Sequence, residues 1–112
     1  MKITDLKTTE EKENPHKVSV RPLYNKEHAQ AIHIELKPKE SLRKHITPVD
    51  VFFYILEGKG VVEIGDESNQ VTKDMLIESP AGIPHLLKNN GEEVFRFLVV
   101  KTPRPTETTR LL

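Results

Sequence analysis

The chain has 112 residues, 36% of them hydrophobic and 30% charged, with 17 Lys and Arg against 17 Asp and Glu and no cysteine. Such a composition suits one small domain with a single core; it excludes thiol nucleophiles, thiolate zinc sites and iron–sulfur clusters, leaving His, Asp, Glu and water as metal donors. A formal net charge of zero argues against nucleic acid as a partner, because a phosphate-binding surface needs surplus Lys and Arg.

No apolar run approaches the roughly 18 residues of a membrane span, so no membrane partner is expected and the expected address is the cytoplasm. Ten Val and eight Ile stand against three Ala, the balance of a β protein rather than a helical bundle.

Residues 1–16 hold only Ile3 and Leu6 as large apolar side chains among many charges, which predicts an N-terminal arm, docked if at all through those two residues. The domain proper is expected over 17–102. Val18 and Val20 alternate with polar residues until Pro22, the pattern of an edge strand. Ile32, Ile34 and Leu36 then alternate with His33, Glu35 and Lys37, a strand with one buried face.

The run Val51 to Leu56 is apolar on both faces and reads as a central or doubly covered strand. Gly58 and Gly60 end it, and Val61 to Ile64 returns. Short strands follow at Gln70 to Thr72 and Met75 to Ile77, then His85 to Lys88, a tight Asn89-Asn90-Gly91 hairpin turn, and a long strand from Val94 to Lys101. The Pro- and Thr-rich tail 103–112 is expected to be extended. About eight short strands separated by turn signals, with no sustained helical period, predict a closed or double-sheet antiparallel β-barrel.

Five histidines are present, and none forms an HxH, HxxxH or HExxH pair. His45 precedes the two-faced apolar strand, and His85 stands in Pro80-Ala81-Gly82-Ile83-Pro84-His85-Leu86-Leu87-Lys88-Asn89. That segment resembles the second motif of the cupin superfamily, Pro-x-Gly, two residues, His, three residues, Asn. The glycine that opens the motif falls on Asp74. The first cupin motif is matched in part, by His45 and by Gly58 at the end of its strand, but Thr47 replaces the second histidine and the acidic ligand position falls on Val51, with Asp50 one residue out of register.

The resemblance, over roughly residues 32–100, implies an all-β fold, a small double-stranded β-helix or jelly-roll barrel, with a homodimer as the expected assembly. It implies a small-molecule ligand in the barrel pocket and metal ligands at His45 and His85, for a divalent cofactor such as Zn, Mn, Fe or Ni. Asp50 and His33 are the candidates to complete such a set, Asp50 only if a bulge re-aims it.

Two other readings stand beside the metal site. In one, His45 and His85 are acid–base or hydrogen-bonding groups of a metal-free pocket, serving an isomerase, epimerase or lyase, or a barrel that only binds a sugar or small carboxylate. In the other, they are satisfied core residues. Whether the protein is an enzyme stays open at this point. The depleted ligand set counts against an iron-dependent dioxygenase.

Tyr54 is a further candidate catalytic acid, with packing between layers or subunits as its competing role. His33, on the same face as Glu35 and Lys37, is expected in solvent, His16 and His28 on the surface, and Arg96 either in an ion pair with an acidic neighbour such as Glu57 or Glu63 or facing a ligand. The apolar content of VFFYIL and VFRFLVV exceeds what one thin barrel hides, which independently favours a homodimer.

Overall fold

A computed structural model describes all 112 residues. Ten strands form two five-stranded antiparallel sheets. The first holds β1 (Ser19–Lys26), β2 (Ala29–Leu36), β9 (Phe95–Thr102), β4 (Asp50–Glu57) and β7 (Leu76–Ser79), in that spatial order. The second holds β10 (Arg110–Leu111), β3 (His45–Ile46), β8 (His85–Lys88), β5 (Lys59–Ile64) and β6 (Glu67–Thr72). The only helical element is one short 3-10 turn, Leu6–Thr8, and no helix is long and apolar enough to cross a membrane.

Side-chain alternation defines the space between the sheets. From the first sheet, Val20, Ile34, Leu36, Val51, Phe53, Ile55, Phe95, Phe97 and Val99 all point inward and are buried. Val62, Val71 and Leu87 meet them from the second sheet, together with Leu42 from the β2–β3 connection. Phe53 and Phe97 pack edge to face with centroids 6.2 Å apart, and Phe95 tilts against Phe97 at 5.2 Å. Each such buried side chain contributes roughly 1.5–3 kcal/mol through apolar area removed from water.

Two close approaches explain glycines. Gly58 adopts φ +81°, and a Cβ there would stand 2.1 Å from the Val94 carbonyl oxygen. Gly60 lies under the Phe95 ring, 2.4 Å from where its Cβ would be. Asp74, at the place of the motif's opening glycine, also has a left-handed backbone, φ +71°, a conformation that Asp tolerates better than most residues.

Pro22 sits in an edge strand as expected, with a bulge between Pro22 and Tyr24. Three expectations are corrected. Asn89-Asn90-Gly91 does not close a hairpin, because β8 and β9 belong to different sheets. Asn89 instead braces the crossing between them: its amide nitrogen donates to the carbonyls of Leu36 and Glu93 at 2.9 and 2.7 Å, and its side-chain oxygen accepts from Gly91 N–H at 3.0 Å.

The N-terminal arm docks chiefly through residues 9–16; of the two expected anchors Ile3 is 82% exposed, whereas Leu6 is half-buried. Lys12 N–H donates to the Val20 carbonyl and Glu11 pairs with Arg21 at 3.2 Å. Finally, the tail is more than extended chain: Arg110 and Leu111 form β10, paired with Ile46 and His45.

Candidate functional site

β3 and β8 meet in a single register pair, His45 opposite His85. Both imidazoles point between the sheets and both are buried, with His85 only 2% exposed. Their Nε2 atoms lie 3.0 Å apart. Nδ1 of His45 is 2.6 Å from the Arg43 carbonyl oxygen, and Nδ1 of His85 is 2.6 Å from the Ser79 hydroxyl. The Thr47 hydroxyl stands 3.2 Å from Nε2 of His85. Phe53 closes one side, edge to face with the His85 ring at 5.3 Å.

These contacts define the neutral tautomers. A carbonyl only accepts, so His45 carries its proton on Nδ1 and presents a lone pair at Nε2. His85 therefore donates Nε2–H to that lone pair, and its bare Nδ1 accepts from the Ser79 hydroxyl. Each imidazole is thereby held in one tautomer, the Nδ1–H form for His45 and the Nε2–H form for His85.

The pair opens on a cavity of about 390 Å³. Its apolar wall includes Val20, Ile32, Ile34, Leu42, Phe53 and Val99, and its polar lining includes Gln30, Thr47 and Lys101. Both chain ends contribute: His16 and its neighbours from the arm, and Thr108, Thr109 and Leu111 from the tail. Concave, mostly preformed spaces with a few convergent polar groups are the usual form of small-molecule sites.

The other predicted residues disperse. Val51 is buried on the inward face of β4, so Asp50 points outward; it is exposed and its carboxylate accepts from Ala81 N–H at 2.9 Å, shaping the loop before β8. No bulge re-aims it. His33 lies on the outer face of the first sheet, since its neighbours Ile32 and Ile34 line the cavity, and it cannot join His45 and His85.

Nor is His33 in solvent: at 1% exposure it sits under the guanidinium of Arg96, 3.3 Å from Nε2, and its Nδ1 has no partner. Arg96 in turn pairs with Glu57 at 2.7 Å, one of the two expected partners. Tyr54 is also on the outer face, its hydroxyl donating to Asp74 at 3.3 Å, so it has no access to the cavity. His28 is exposed as expected.

His16, expected on the surface, instead lines the cavity, its ring 4.9 Å from that of His45, with Nδ1 accepting from Arg43 N–H at 2.8 Å. Its polar neighbours in sequence hide this, because the arm folds back over the barrel. Lys101 likewise reads from sequence only as the end of a strand. The register places it directly opposite Val51, on the inward face.

Burial dominates the electrostatics. It pushes His85 down to about 3, with repulsion from His45 and Lys101 adding to the effect. It pushes His16 down to about 4 and lowers His45, the latter opposed by the hydrogen bond to Arg43. Lys101 is lowered by desolvation and by the nearby Lys12. At neutral pH the imidazoles are thus uncharged.

The residues do not fit a resident divalent ion. His45 and His85 converge with one hydroxyl, His16 beside them has its Nδ1 taken by the Arg43 N–H, the acidic position is Val51, and the ammonium of Lys101 stands on the facing strand. No three His, Cys, Asp or Glu side chains anywhere in the chain are placed to share an ion. Without an anionic donor nothing offsets a cation's charge there.

The fold, two antiparallel sheets enclosing a histidine-based pocket, is that of a double-stranded β-helix barrel. Residues 32–101 match the model of the cupin domain, and the chain belongs to the cupin family.

Among solved structures it is similar to TT1209 from Thermus thermophilus, with 33% identity, a TM-score of 0.80, and coverage of 94% of this chain and 100% of the other. The polyketide cyclase RemF from Streptomyces resistomycificus shares the fold at a TM-score of 0.86 and 23% identity, over 100% of this chain and 85% of that one. The tetracenomycin polyketide synthase protein TcmJ of Streptomyces glaucescens is 32% identical over 72 residues, 63% of this chain. The aligned part is 48% of TcmJ, about half its length.

Proposed function

We propose that this cupin binds a small organic molecule in its barrel cavity and that the His45–His85 pair moves a proton to or from it without a bound metal. The observation that carries the reading is the 3.0 Å contact between the two Nε2 atoms at the wall of a cavity of about 390 Å³. With Nδ1–H of His45 held by the Arg43 carbonyl, that ring gains a proton only at Nε2, in the cavity. His85 presents the complementary Nε2–H, with its Nδ1 held by the Ser79 hydroxyl. One nitrogen is the base and the other the acid, an arrangement that contributes about 10²–10⁴-fold in rate where proton transfer limits a reaction.

Isomerase or lyase chemistry at a carbon next to a carbonyl suits such a pair. The resemblance to TcmJ is in keeping with polyketide-like ligands, whose carbonyl-flanked carbons are acidic. The protein works in the cytoplasm in this reading, in keeping with a cysteine-free chain.

The chain acts as a homodimer through the outer face of the first sheet. Phe52, Tyr54, Leu98 and Val100 are adjacent there on β4 and β9, half-buried with no layer of this chain assigned to cover them. The metal-free reading is tested by elemental analysis after incubation with Zn, Mn, Fe and Ni salts and desalting. Below about a tenth of an equivalent is expected; close to one equivalent of any of them overturns it. The proton-transfer reading is tested with H45Q and H85Q in hydrogen–deuterium exchange of acetylacetone: both variants are expected to lose the protein's acceleration, and equal rates with the wild type overturn it.

A further inference from the structure

Val51 and Lys101 are cross-strand partners on β4 and β9. Val51 is 4% exposed and points inward, so the register aims Lys101 inward as well, and its side chain lines the cavity with those of His45 and His85. At the position where a cation-binding barrel needs a carboxylate, this chain carries an apolar side chain, and on the facing strand it carries an ammonium.

That ammonium has no counter-ion. The ion pairs of the molecule are Arg21 with Glu11, Lys88 with Glu63 and Arg96 with Glu57, none of them at the cavity's lysine. The charged groups of the lining are Lys12, Lys101 and Glu13. Glu13 lies on the exposed part of the arm and forms no ion pair, whereas Lys101 is partly withdrawn from water and loses basicity by desolvation. Burying a charge without a partner is costly, and a chain that retains one in a cavity gains that energy back when an opposite charge arrives.

The rest of the wall describes the ligand's body. Val20, Ile32, Ile34, Phe53 and Val99 form a continuous apolar surface beside Lys101 and the two imidazoles. Elsewhere the lining is polar, with Asn14, Asn25, Gln30, Thr47, Thr108 and Thr109, so it is the unpaired charge of Lys101 that sets the ligand's class.

We propose that the cavity is an organic-anion site: it takes a ligand with one anionic head, a carboxylate or phenolate, paired with Lys101, and an apolar body laid against the β1, β2 and β9 wall. This assignment rests on the reading of the cavity as a small-molecule site and names the class of molecule it selects. Lys101 is a specificity-determining residue in it, and the neutral His45–His85 pair is left free to act on the bound molecule.

The experiment compares benzoate with its neutral counterpart benzamide and with benzylammonium, by NMR titration of the full chain, reading the amide signals of Thr47, Val51, His85 and Val99. Benzoate is expected to bind about tenfold or more tightly than benzamide, and benzylammonium more weakly still. K101Q is expected to bring benzoate to the level of benzamide, and K101R to keep the preference.

Equal binding of benzoate and benzamide to the wild type overturns the anion assignment whatever the variants do, as does a preference that survives in K101Q. If none of the three probes shifts the cavity signals, the reading of the cavity as a small-molecule site falls, and the anion assignment with it.

Discussion

The Ser79 hydroxyl lies 2.6 Å from Nδ1 of His85, with both side chains almost wholly withdrawn from water. Ser79 comes from β7 in the first sheet and His85 from β8 in the second, so this contact sets the distance between the sheets beside the cavity. Ser79→Ala leaves a buried imidazole nitrogen without a partner, which costs about 1–3 kcal/mol. Urea denaturation is expected to show that loss, and nitrogen-15 spectra of the imidazoles are expected to show a shifted His85 Nδ1 while His85 keeps its proton on Nε2 and His45 keeps its own on Nδ1.

Acid stability follows from the same burial. His16 and His33 at about 4 and His85 at about 3 lie below the ordinary 6.5. Above about pH 6.5 these rings are neutral in the folded and unfolded chain alike and contribute nothing to the pH dependence. As pH falls below that, the unfolded chain takes up protons that the folded chain refuses, so stability declines progressively toward pH 3–4. Thermal unfolding midpoints are expected to fall as pH drops below about 6.5, and H85Q is expected to fall less steeply.

Metal binding is expected to appear on restoring the donors this chain lacks. Thr47→His with Val51→Glu adds an imidazole and a carboxylate on the inward face beside His45 and His85, a set of four. The double variant is expected to retain about one zinc per chain after desalting, where the parent retains less than about a tenth. A parent that already binds zinc as well as the double variant contradicts a metal-free site.

The outer face of the first sheet gives a fourth outcome. Leu98→Glu places a charge at its centre, opposite Tyr54 and His33, where pairing of two copies would bury it. Sedimentation velocity is expected to show a dimer for the wild type and a monomer for the variant, with an unchanged far-ultraviolet spectrum.

Much of the barrel is legible in the sequence because its strands alternate: Ile32, Ile34 and Leu36 on β2, and Phe95, Phe97 and Val99 on β9, face inward as a period of two requires. The pairing of His45 with His85 is legible through the motif resemblance, and the loss of ligands at Thr47 and Val51 through departures from it. Alternation also decides Asp50 correctly: one step from an inward residue is an outward one, and no bulge intervenes.

What sequence does not disclose depends on contacts distant along the chain. His16 belongs to a charged arm whose path over the cavity is decided by the Lys12–Val20 and His16–Arg43 hydrogen bonds. Lys101 ends a strand, and its inward direction matters only beside Val51. His33 looks solvated because it shares a strand face with Glu35 and Lys37, yet Arg96 from a neighbouring strand covers it. The Asn-Gly signal predicts a hairpin because local turn chemistry cannot tell a return within one sheet from a crossing between two.

The two-residue strand β3 is held on one side by β10 and on the other by a single register pair. Thr108, Thr109 and Leu111 touch the cavity from the segment that forms β10. The last residues and His45 therefore share one hydrogen-bonded strip of backbone, with Leu111 opposite His45 and Arg110 opposite Ile46. Leu112 N–H extends the strip by donating to the Lys44 carbonyl at 3.0 Å, so the cavity wall at Thr109 and Leu111, the tail and His45 form one continuous seam.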